Sequence, residues 1–346
     1  MAASATAAGQ FLITGASGQL GHALRGIWSD DANDVSENGR IIAKPRESFD
    51  IADEALVQEW LPTLMPSVVI NCAGYTHVSR AEQDREACWR SNVAGVANLA
   101  AVCAEHDIPL VHISTDFIYG QDYSQRYAAA ATSLDDDERL PSESEIARRL
   151  AYRDTCAPGP MNYYGQTKLA AEHVILRQAS ESLTFRYWII RTSGLFERPW
   201  RATRNFPLAI ASKLYRQRTP IEVVSDVRTN ITSAEDLAAA IAWMLDHRNK
   251  HREGGLLCPR GIYHIANEGA ASWYDIAKTL AGHLGQRDRI IPTTSQKYAE
   301  SQGVRNQTPK YSCMDMSKYR KTGGPAMPTW QAAVARWAEQ AKEYFS

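Results

Sequence analysis

No apolar run in this sequence is long enough to cross a bilayer: the longest, Leu237–Leu245, falls far short of the roughly 20 residues that a membrane helix needs. Neither sign of charge predominates, because 38 Lys and Arg are interspersed with 39 Asp and Glu, which argues against nucleic-acid and membrane-surface binding. The six cysteines contain no C-x-x-C pair, so we expect reduced thiols in a cytoplasmic protein. Residues 1–10 lack the basic and apolar regions of a signal peptide and are predicted to be a flexible leader.

The start of the remaining chain favours a nucleotide-binding domain. The apolar segment Phe11–Thr14 predicts a buried strand, which runs into glycines at 15, 18 and 21 and then an amphipathic helix. In such a loop the first glycine makes the turn, the second lets the backbone approach a pyrophosphate, and the third lets the helix pack closely. The alternative is a glycine-rich turn without a ligand, since the spacing is G-x-x-G-x-x-G rather than G-x-G-x-x-G. The predicted cofactor contacts are Gly15, Ser17, Gly18, Gln19 and Leu20.

The residues after the second strand indicate which dinucleotide binds. Gly39–Ala43 predicts a weak strand, and Lys44 and Arg46 follow it where an NAD-specific site would place an acid for the ribose 2′-hydroxyl. Cations there suit a 2′-phosphate, so NADP(H) is the predicted cofactor, with ordinary loop charge as the alternative. Asp50 and Ile51 are predicted to contact the adenine side of the cofactor, although Asp50 would serve equally as a helix cap.

A third strand and the helix after it complete the predicted cofactor half. Val68–Gly74 is apolar and ends in small residues, which is consistent with backbone lying close to the cofactor. The contacts predicted there are Cys72, Ala73 and Gly74. One long helix is predicted over Glu86–Glu105, with Asn92 facing the core as a bracket for the neighbouring strand, because a buried amide needs partners. The other inward residues are predicted to be Trp89, Val93, Val96, Leu99, Ala100 and Cys103.

Two later segments carry groups suited to carbonyl reduction. Leu110–Thr115 predicts an apolar strand whose hydroxyl groups lie at the carboxyl edge of the sheet, where ligands bind in open α/β sheets. A helix that starts by Tyr164 places its phenol and the Lys168 ammonium four residues apart on one face. A neighbouring cation lowers a tyrosine pKa from about 10, which gives a proton donor near neutral pH. The spacing alone usually means a solvated helix face, and it gains weight from the nucleotide site and Thr115 upstream.

Together these motifs resemble the extended short-chain dehydrogenase/reductases and, within them, the dTDP-4-dehydrorhamnose reductase (RmlD-like) branch. The matching segments are 15–21, 71–76, 114–120, 164–172, 191–193, 205–206, 224–226, 233–237, 261–266, 272–274 and 328–330, so the resemblance covers essentially the whole chain after residue 10. It implies an α/β fold, with a doubly wound parallel sheet of Rossmann type and a smaller α/β substrate lobe. It also implies NADP(H)-dependent reduction of the 4-keto group of a nucleotide-linked 6-deoxy sugar, most simply dTDP-4-dehydro-L-rhamnose to dTDP-L-rhamnose.

The resemblance also assigns roles to residues. Tyr164 would give a proton to the keto oxygen, Lys168 would lower the pKa of Tyr164 and hold the nicotinamide ribose, and Thr115 would hydrogen-bond the keto oxygen. The substrate contacts it implies are Thr76, Val78, Thr115, Asp116, Phe117 and Asn205. The partners expected are the nucleotide-sugar substrate and a second copy of the chain in a homodimer. Some members of the branch use Mg²⁺ at a dimer contact, but those ligands have no counterpart that we can identify here, so no metal is predicted.

Three positions depart from the pattern of the branch. Gly194 follows Arg-Thr-Ser, where the branch usually has Trp, and Ser79 stands where the branch usually has Asp. Near the C-terminus, residues 308–310 replace an Arg-Pro pair of the branch. One alternative is a related nucleotide-sugar epimerase or dehydratase, although the acidic pair of the dehydratases is incomplete at Asp116-Phe117. The other is a non-catalytic, NADP-binding regulatory subunit like the methionine adenosyltransferase β subunit.

The domain prediction places the NADP(H)-binding domain at 11–192, with an insertion at 121–160, and a substrate lobe mainly at 193–346, from which some segments return to the first domain. Within the insertion, Ser142 to Glu145 predicts a capping box and a helix, and 135–138 an acidic turn. The insertion would form a lid over the substrate or a surface elaboration. In the lobe, helices are predicted around 206–215, after Ser233, after Ser272 and around Trp330–Trp337, with a strand at 221–224.

Overall fold

The computed structural model describes residues 10–28, 41–132, 142–201, 204–245, 258–303 and 307–345. The strands are β1 (Phe11–Thr14), β2 (Ile41–Lys44), β3 (Val68–Asn71), β4 (Leu110–Thr115), β5 (Tyr187–Thr192), β6 (Leu195–Phe196), β7 (Ile221–Val224), β8 (Arg228–Thr229), β9 (Thr232–Ser233), β10 (Gly261–His264), β11 (Ala271–Ser272) and β12 (Ile290–Thr293). The α-helices are α1 (Gln19–Trp28), α2 (Glu54–Leu64), α3 (Arg85–Trp89), α4 (Gly95–Glu105), α5 (Tyr123–Ala131), α6 (Glu143–Leu150), α7 (Tyr163–Glu181), α8 (Phe206–Arg216), α9 (Ala234–Leu245), α10 (Trp273–His283), α11 (Ser295–Ser301), α12 (Ser317–Lys321) and α13 (Trp330–Phe345).

Six parallel strands form the central sheet, in the order β10-β5-β4-β3-β1-β2. Every residue of β1 and β3 is buried, because helices cover both faces of the sheet and leave no polar side to the strands. The chain order reverses between β1 and β3, which opens a crevice at the carboxyl ends of these strands. The predicted α/β fold with a Rossmann-type sheet is confirmed.

Two layers of helices enclose the sheet. One face is covered by α1 and α9, and the other by α2, α4 and α7. We expected the helix after Ser233 to lie in the substrate lobe, and this placement is wrong. Helix α9 has a long apolar face, and its Leu237 and Ile241 pack against Leu24 of α1. The helix therefore covers the central sheet and is not part of the smaller unit. Strand β10 is a later segment that returns to the sheet, as expected.

The predicted helix over Glu86–Glu105 contains a π-helical turn, Arg90–Ala94, between α3 and α4. The wider turn shifts the helical phase, and the prediction that Trp89 faces inward is wrong, since 49% of this residue is exposed. The other inward residues are buried as predicted, and Asn92 is 1% exposed. The Asn92 amide accepts from Tyr75 N at 2.8 Å and donates to Tyr75 O at 3.2 Å, so it brackets the segment after β3.

A smaller unit packs at the carboxyl edge of the sheet. It is built on α8, α10, α13 and the parallel pair β7–β12, whose buried side chains form one cluster. Ser272 caps α10 in a capping box with Asp275, and Trp330, Val334 and Trp337 of α13 face inward as predicted. The boundary between the two units, put at 192–193 from the sequence, stays a proposal.

The described part of the insertion contains α5 and α6. The predicted capping box is confirmed, because Ser142 and Glu145 bond each other's backbone N–H groups at the start of α6. The predicted acidic turn lies outside the described residues. The two ends of the insertion meet, since Gln121 N donates to Gly159 O at 3.0 Å. In the described part of the chain, no helix is long and apolar enough to span a membrane.

Candidate active site

A cavity of about 1100 Å³ lies between the carboxyl ends of the sheet strands and the smaller unit. Residues after β1, β3, β4 and β5 line one side, and residues of α8, α10 and the segment 308–312 line the other. Every residue predicted to contact cofactor or substrate lines this cavity, with the single exception of Lys44. The sequence prediction therefore converges on one site.

The glycine loop shapes one end of the cavity. Gly15 has a φ of +63°, and a Cβ added to it would lie 2.6 Å from Ala73 N, so no larger residue fits. A Cβ on Gly21 would lie 2.5 Å from Gly15 O, which explains how closely α1 approaches β1. The backbone at Gly18 lines the cavity at the N-terminus of α1. This cradle fits a dinucleotide pyrophosphate, and Ser17, Gln19 and Leu20 lie beside it as predicted.

The far end of the cavity carries Arg46 and Asp50. Asp50 is paired with Arg90 at 2.8 Å and with Arg46 at 3.6 Å, and Ala52 N donates to its carboxylate at 3.1 Å. Partial burial would raise the pKa of Asp50, but the Ala52 bond and the two arginines outweigh it and hold the pKa below its usual value. Asp53, not Asp50, caps α2.

Lys44 lies away from the cavity. Its ammonium is 5.0 Å from the centroid of the Trp60 ring, at the end of β2. Arg46 is therefore the cation of the predicted pair that lines the cavity.

Helix α7 brings Tyr164 to Thr115. Asn162 caps the helix by accepting from Gly165 N at 2.8 Å, and Gly165 packs directly under the backbone of Phe117, where a side chain would clash. The rings of Phe117 and Tyr164 meet edge-on at 5.9 Å. The Tyr164 phenol and the Thr115 hydroxyl are neighbours in the wall of the cavity, the arrangement expected for a pair that would hold one carbonyl oxygen.

The predicted lowering of the Tyr164 pKa is wrong. Burial raises this pKa above its usual value, and the nearby Asp116 carboxyl adds to the effect, while the neighbouring Thr115 hydroxyl opposes it only in part. Lys168 is turned to the wall of the cavity, where its Nζ donates to Ile113 O at 2.6 Å. Burial lowers the pKa of Lys168 to about 8. The phenol is thus a fully protonated acid at neutral pH, and the lysine is the group that titrates there.

Asp116 is buried in the wall of the cavity, between β4 and the smaller unit. It accepts hydrogen bonds from Ser312 Oγ at 2.5 Å, Thr229 Oγ1 at 2.9 Å and Thr115 Oγ1 at 3.2 Å. Burial nevertheless raises the pKa of Asp116 to about 6. The carboxylate joins three segments that are distant in sequence, and those partners, Thr229 and Ser312, were missed by sequence reasoning because neither lies in a motif.

The remaining predicted substrate contacts also border the cavity. Thr76, Val78 and Phe117 line it directly. Asn205 lines it too, but its side chain is occupied: it caps α8 through Leu208 N at 2.8 Å and donates to Gln19 Oε1 at 3.1 Å. Among the described residues, no group of three or more His, Cys, Asp or Glu is placed to hold a metal.

Gly194 also lines the cavity, in the position where the branch usually has Trp. Its φ of +50° would strain any side chain there, and an added Cβ would lie 3.1 Å from Asn230 O, so the neighbouring backbone would have to shift to accept one. Trp273, at the start of α10, is an aromatic residue that lines the cavity from the smaller unit.

The insertion braces the segment that closes the cavity. Residues 121–132 and 142–160 line no part of it, which favours a surface elaboration over a lid. Instead Tyr152 N donates to Cys313 O at 2.8 Å, and Asp315 N donates to Tyr152 O at 2.7 Å. Tyr311 OH donates to Ala147 O at 2.7 Å. The segment 307–316 therefore lies between the insertion and the cavity.

The model of the RmlD substrate binding domain family matches residues 9–343. A dTDP-4-keto-6-deoxy-D-glucose reductase from Streptomyces niveus is 27% identical, over 94% of this chain and 96% of its own. A dTDP-4-dehydrorhamnose reductase from Mycolicibacterium smegmatis is 28% identical, over 94% of this chain and 84% of its own. The crystal structure of a dTDP-4-dehydrorhamnose reductase from Bacillus anthracis, in complex with NADP, superposes with a TM-score of 0.73 at 26% identity, and covers 95% of this chain and 98% of that one.

Proposed function

The chain belongs to the RmlD substrate binding domain family, and from that premise we propose that it is an NADP(H)-dependent oxidoreductase that reduces the 4-keto group of a nucleotide-linked 6-deoxy sugar. The sugar we propose is dTDP-4-dehydro-L-rhamnose, with dTDP-L-rhamnose as the product. The observation that carries the proposal is the meeting of Thr115, Tyr164 and Lys168 in the cavity whose other end is the glycine cradle.

The cofactor would lie with its pyrophosphate on the cradle at Gly15 and Gly18 and its 2′-phosphate near Arg46, and it supplies the hydride. Thr115 and Tyr164 would hold the keto oxygen between two hydroxyl groups. Tyr164 would then donate its proton as negative charge develops on that oxygen. Lys168 lies in the same wall and would offset the charge left on the phenolate.

The first test is NADPH oxidation by the purified protein with enzymatically generated dTDP-4-dehydro-L-rhamnose, against cofactor alone. Substrate-dependent consumption, with dTDP-L-rhamnose as the product, is the expected result. Tight NADPH binding without consumption of any 4-keto sugar would contradict the proposal and favour the regulatory-subunit alternative.

The role of Tyr164 has its own test. Tyr164→Phe keeps the ring but removes the proton, so we expect kcat to fall by about 10²–10⁴-fold while the Kd for NADPH stays the same. Tyr163→Phe, the same change in the adjacent residue, which does not line the cavity, is the matched control and should lose far less. Retained turnover in Tyr164→Phe would exclude the phenol as the proton donor.

The homodimer, the cytoplasmic location and the domain boundary remain predictions. Light scattering on the purified chain tests the first of these directly.

A further inference from the structure

A buried chain of side chains runs behind the catalytic wall from β1 to Lys168. Thr14 Oγ1 donates to Asn71 Oδ1 at 2.7 Å, and Asn71 Nδ2 lies 3.1 Å from His112 Nδ1. His112 Nε2 in turn lies 3.3 Å from Lys168 Nζ. Thr14, Asn71 and His112 are fully buried, so these contacts are not exchanged with water. Of the four residues, only Lys168 lines the cavity.

The backbone determines where the protons lie along this chain. Ala73 N–H can only donate, and it donates to Asn71 Oδ1 at 3.1 Å, as does the Thr14 hydroxyl. The Asn71 amide nitrogen must therefore face His112 and donate to Nδ1. An Nδ1 that accepts a hydrogen bond leaves the proton of a neutral imidazole on Nε2. Burial, with the Lys168 charge nearby, lowers the pKa of His112 well below its usual value, so the ring is neutral.

The Nε2–H of His112 consequently points at Lys168 Nζ. An ammonium has only donors and would meet this N–H without an acceptor, whereas a neutral amine offers its lone pair to it and still donates to Ile113 O. We propose that His112 is a positioning residue that favours the neutral amine form of Lys168, by presenting a hydrogen-bond donor to Nζ. The proposal rests on the proposed function only for the role of Lys168 in turnover.

Other groups around Lys168 act on the same equilibrium. Glu172, four residues on along α7, and the thiols of Cys88 and Cys72 favour the charged form, while burial favours the neutral one. Tyr164 approaches from the preceding turn of α7. The net effect is a pKa near 8, so the lysine exists in both forms between about pH 7 and 9. In its charged form the lysine can return a proton to the Tyr164 phenolate, because the phenolate is the stronger base of the two.

The test measures the protonation of Lys168 directly, without substrate. Trace acetylation with acetic anhydride is followed by mass spectrometry of the Lys168 peptide from pH 6 to 11, since only the neutral amine reacts. We expect a midpoint near 8 in the wild type and a midpoint higher by at least about one unit in His112→Phe, which removes the donor and lets the ammonium form. His264→Phe is the matched control, because His264 is also buried and bonds Tyr119 OH away from Lys168, and its midpoint should equal that of the wild type.

A second measurement uses the unaltered protein. In protein labelled with ¹⁵N-histidine, His112 should show a protonated Nε2 and an unprotonated Nδ1, assigned by the loss of its signal in His112→Gln. An unchanged Lys168 midpoint in folded His112→Phe overturns the proposal, and so does a protonated Nδ1 in the wild type. If His112→Phe does not fold, the tautomer decides alone. Because no sugar is present, these outcomes are independent of the proposed reaction.

Discussion

Arg46 and Lys44 carry the same charge two residues apart, but the structure gives them different surroundings. Arg46 lines the cavity beside Asp50, and Lys44 lies over the Trp60 ring. The sequence favoured both as contacts to a 2′-phosphate, because it shows the order of residues after β2 and not the direction of each side chain.

The affinities for NADPH and NADH distinguish the role of Arg46 from that of Lys44. Arg46→Ala should raise the Kd for NADPH about tenfold, the effect of losing one partly exposed charge pair, and leave the Kd for NADH unchanged. Lys44→Ala is the control and should change neither value. Fluorescence titration of the reduced cofactors measures both. An equal loss of NADPH and NADH binding in Arg46→Ala would mean that the arginine does not recognise the 2′-phosphate.

At the residue scale, the sequence predicted the side chains that lie in motifs. It missed the side chains outside motifs that contact them. Thr115 and Tyr164 follow from strand-end and helix spacing. His112 is the third residue of a strand that otherwise looks like ordinary core, and its role depends on Asn71 and Lys168, which are distant in sequence. The Tyr164 pKa was predicted in the wrong direction because burial, which no motif reports, raises it, and the Asp116 carboxyl adds to the effect.

At the scale of elements, α5 and α6 stabilise the wall formed by 307–316. Leu150 is buried in a cluster with Ala130, Tyr311 and Cys313, on the side of that wall away from the cavity. The capping box made α6 predictable from four residues. The contact between the insertion and the segment 307–316 was not predictable, because nothing in the sequence links residue 150 to residue 311. The π-helical turn next to the exposed Trp89 was not predictable either, because the sequence around it has the pattern of a regular helix.

Loosening this contact should weaken substrate binding selectively. Leu150→Ala leaves a cavity under Tyr311, so we expect the KM for the sugar nucleotide to rise severalfold while the Kd for NADPH stays the same. Leu99→Ala, in the core beneath the sheet, is a control with a comparable loss of stability, about 2–5 kcal/mol, and no selective change in KM. Equal kinetics in the two variants at matched fractions of folded protein would leave the insertion without a role in the wall.

At the scale of the whole molecule, one buried ion pair ties the layers together. Arg191 of β5 bonds Glu172 of α7 with its Nη2 at 2.6 Å, and both side chains are almost completely buried. Ser114 of β4 also donates to Glu172, and Arg191 donates to Tyr119, which stacks on Tyr152 of the insertion. The pair therefore connects the sheet, the helix that carries Tyr164, and the insertion.

Breaking this pair should destabilise the whole protein. Glu172→Gln leaves the Arg191 charge buried without a counter-ion, so the free energy of unfolding should fall by about 3–5 kcal/mol in a urea titration. Glu181→Gln, on the same helix, removes the exposed partner of Arg177 and should cost less than about 1 kcal/mol. A similar loss of unfolding free energy in the two variants would show that burial of the Glu172–Arg191 pair adds nothing to stability.

The position of β10 has a consequence for how the protein is made. This strand pairs with β5 along Trp188 to Arg191, yet the ribosome completes it only after residues 193–260, a stretch that contains α8, β7 and α9. Until then β5 is the outer strand of a growing sheet, and its apolar residues and free backbone groups are open to pairing with another chain. Premature termination before residue 261 would thus yield a fragment inclined to aggregate, and the nascent chain should depend on chaperones most during the translation of residues 193–260.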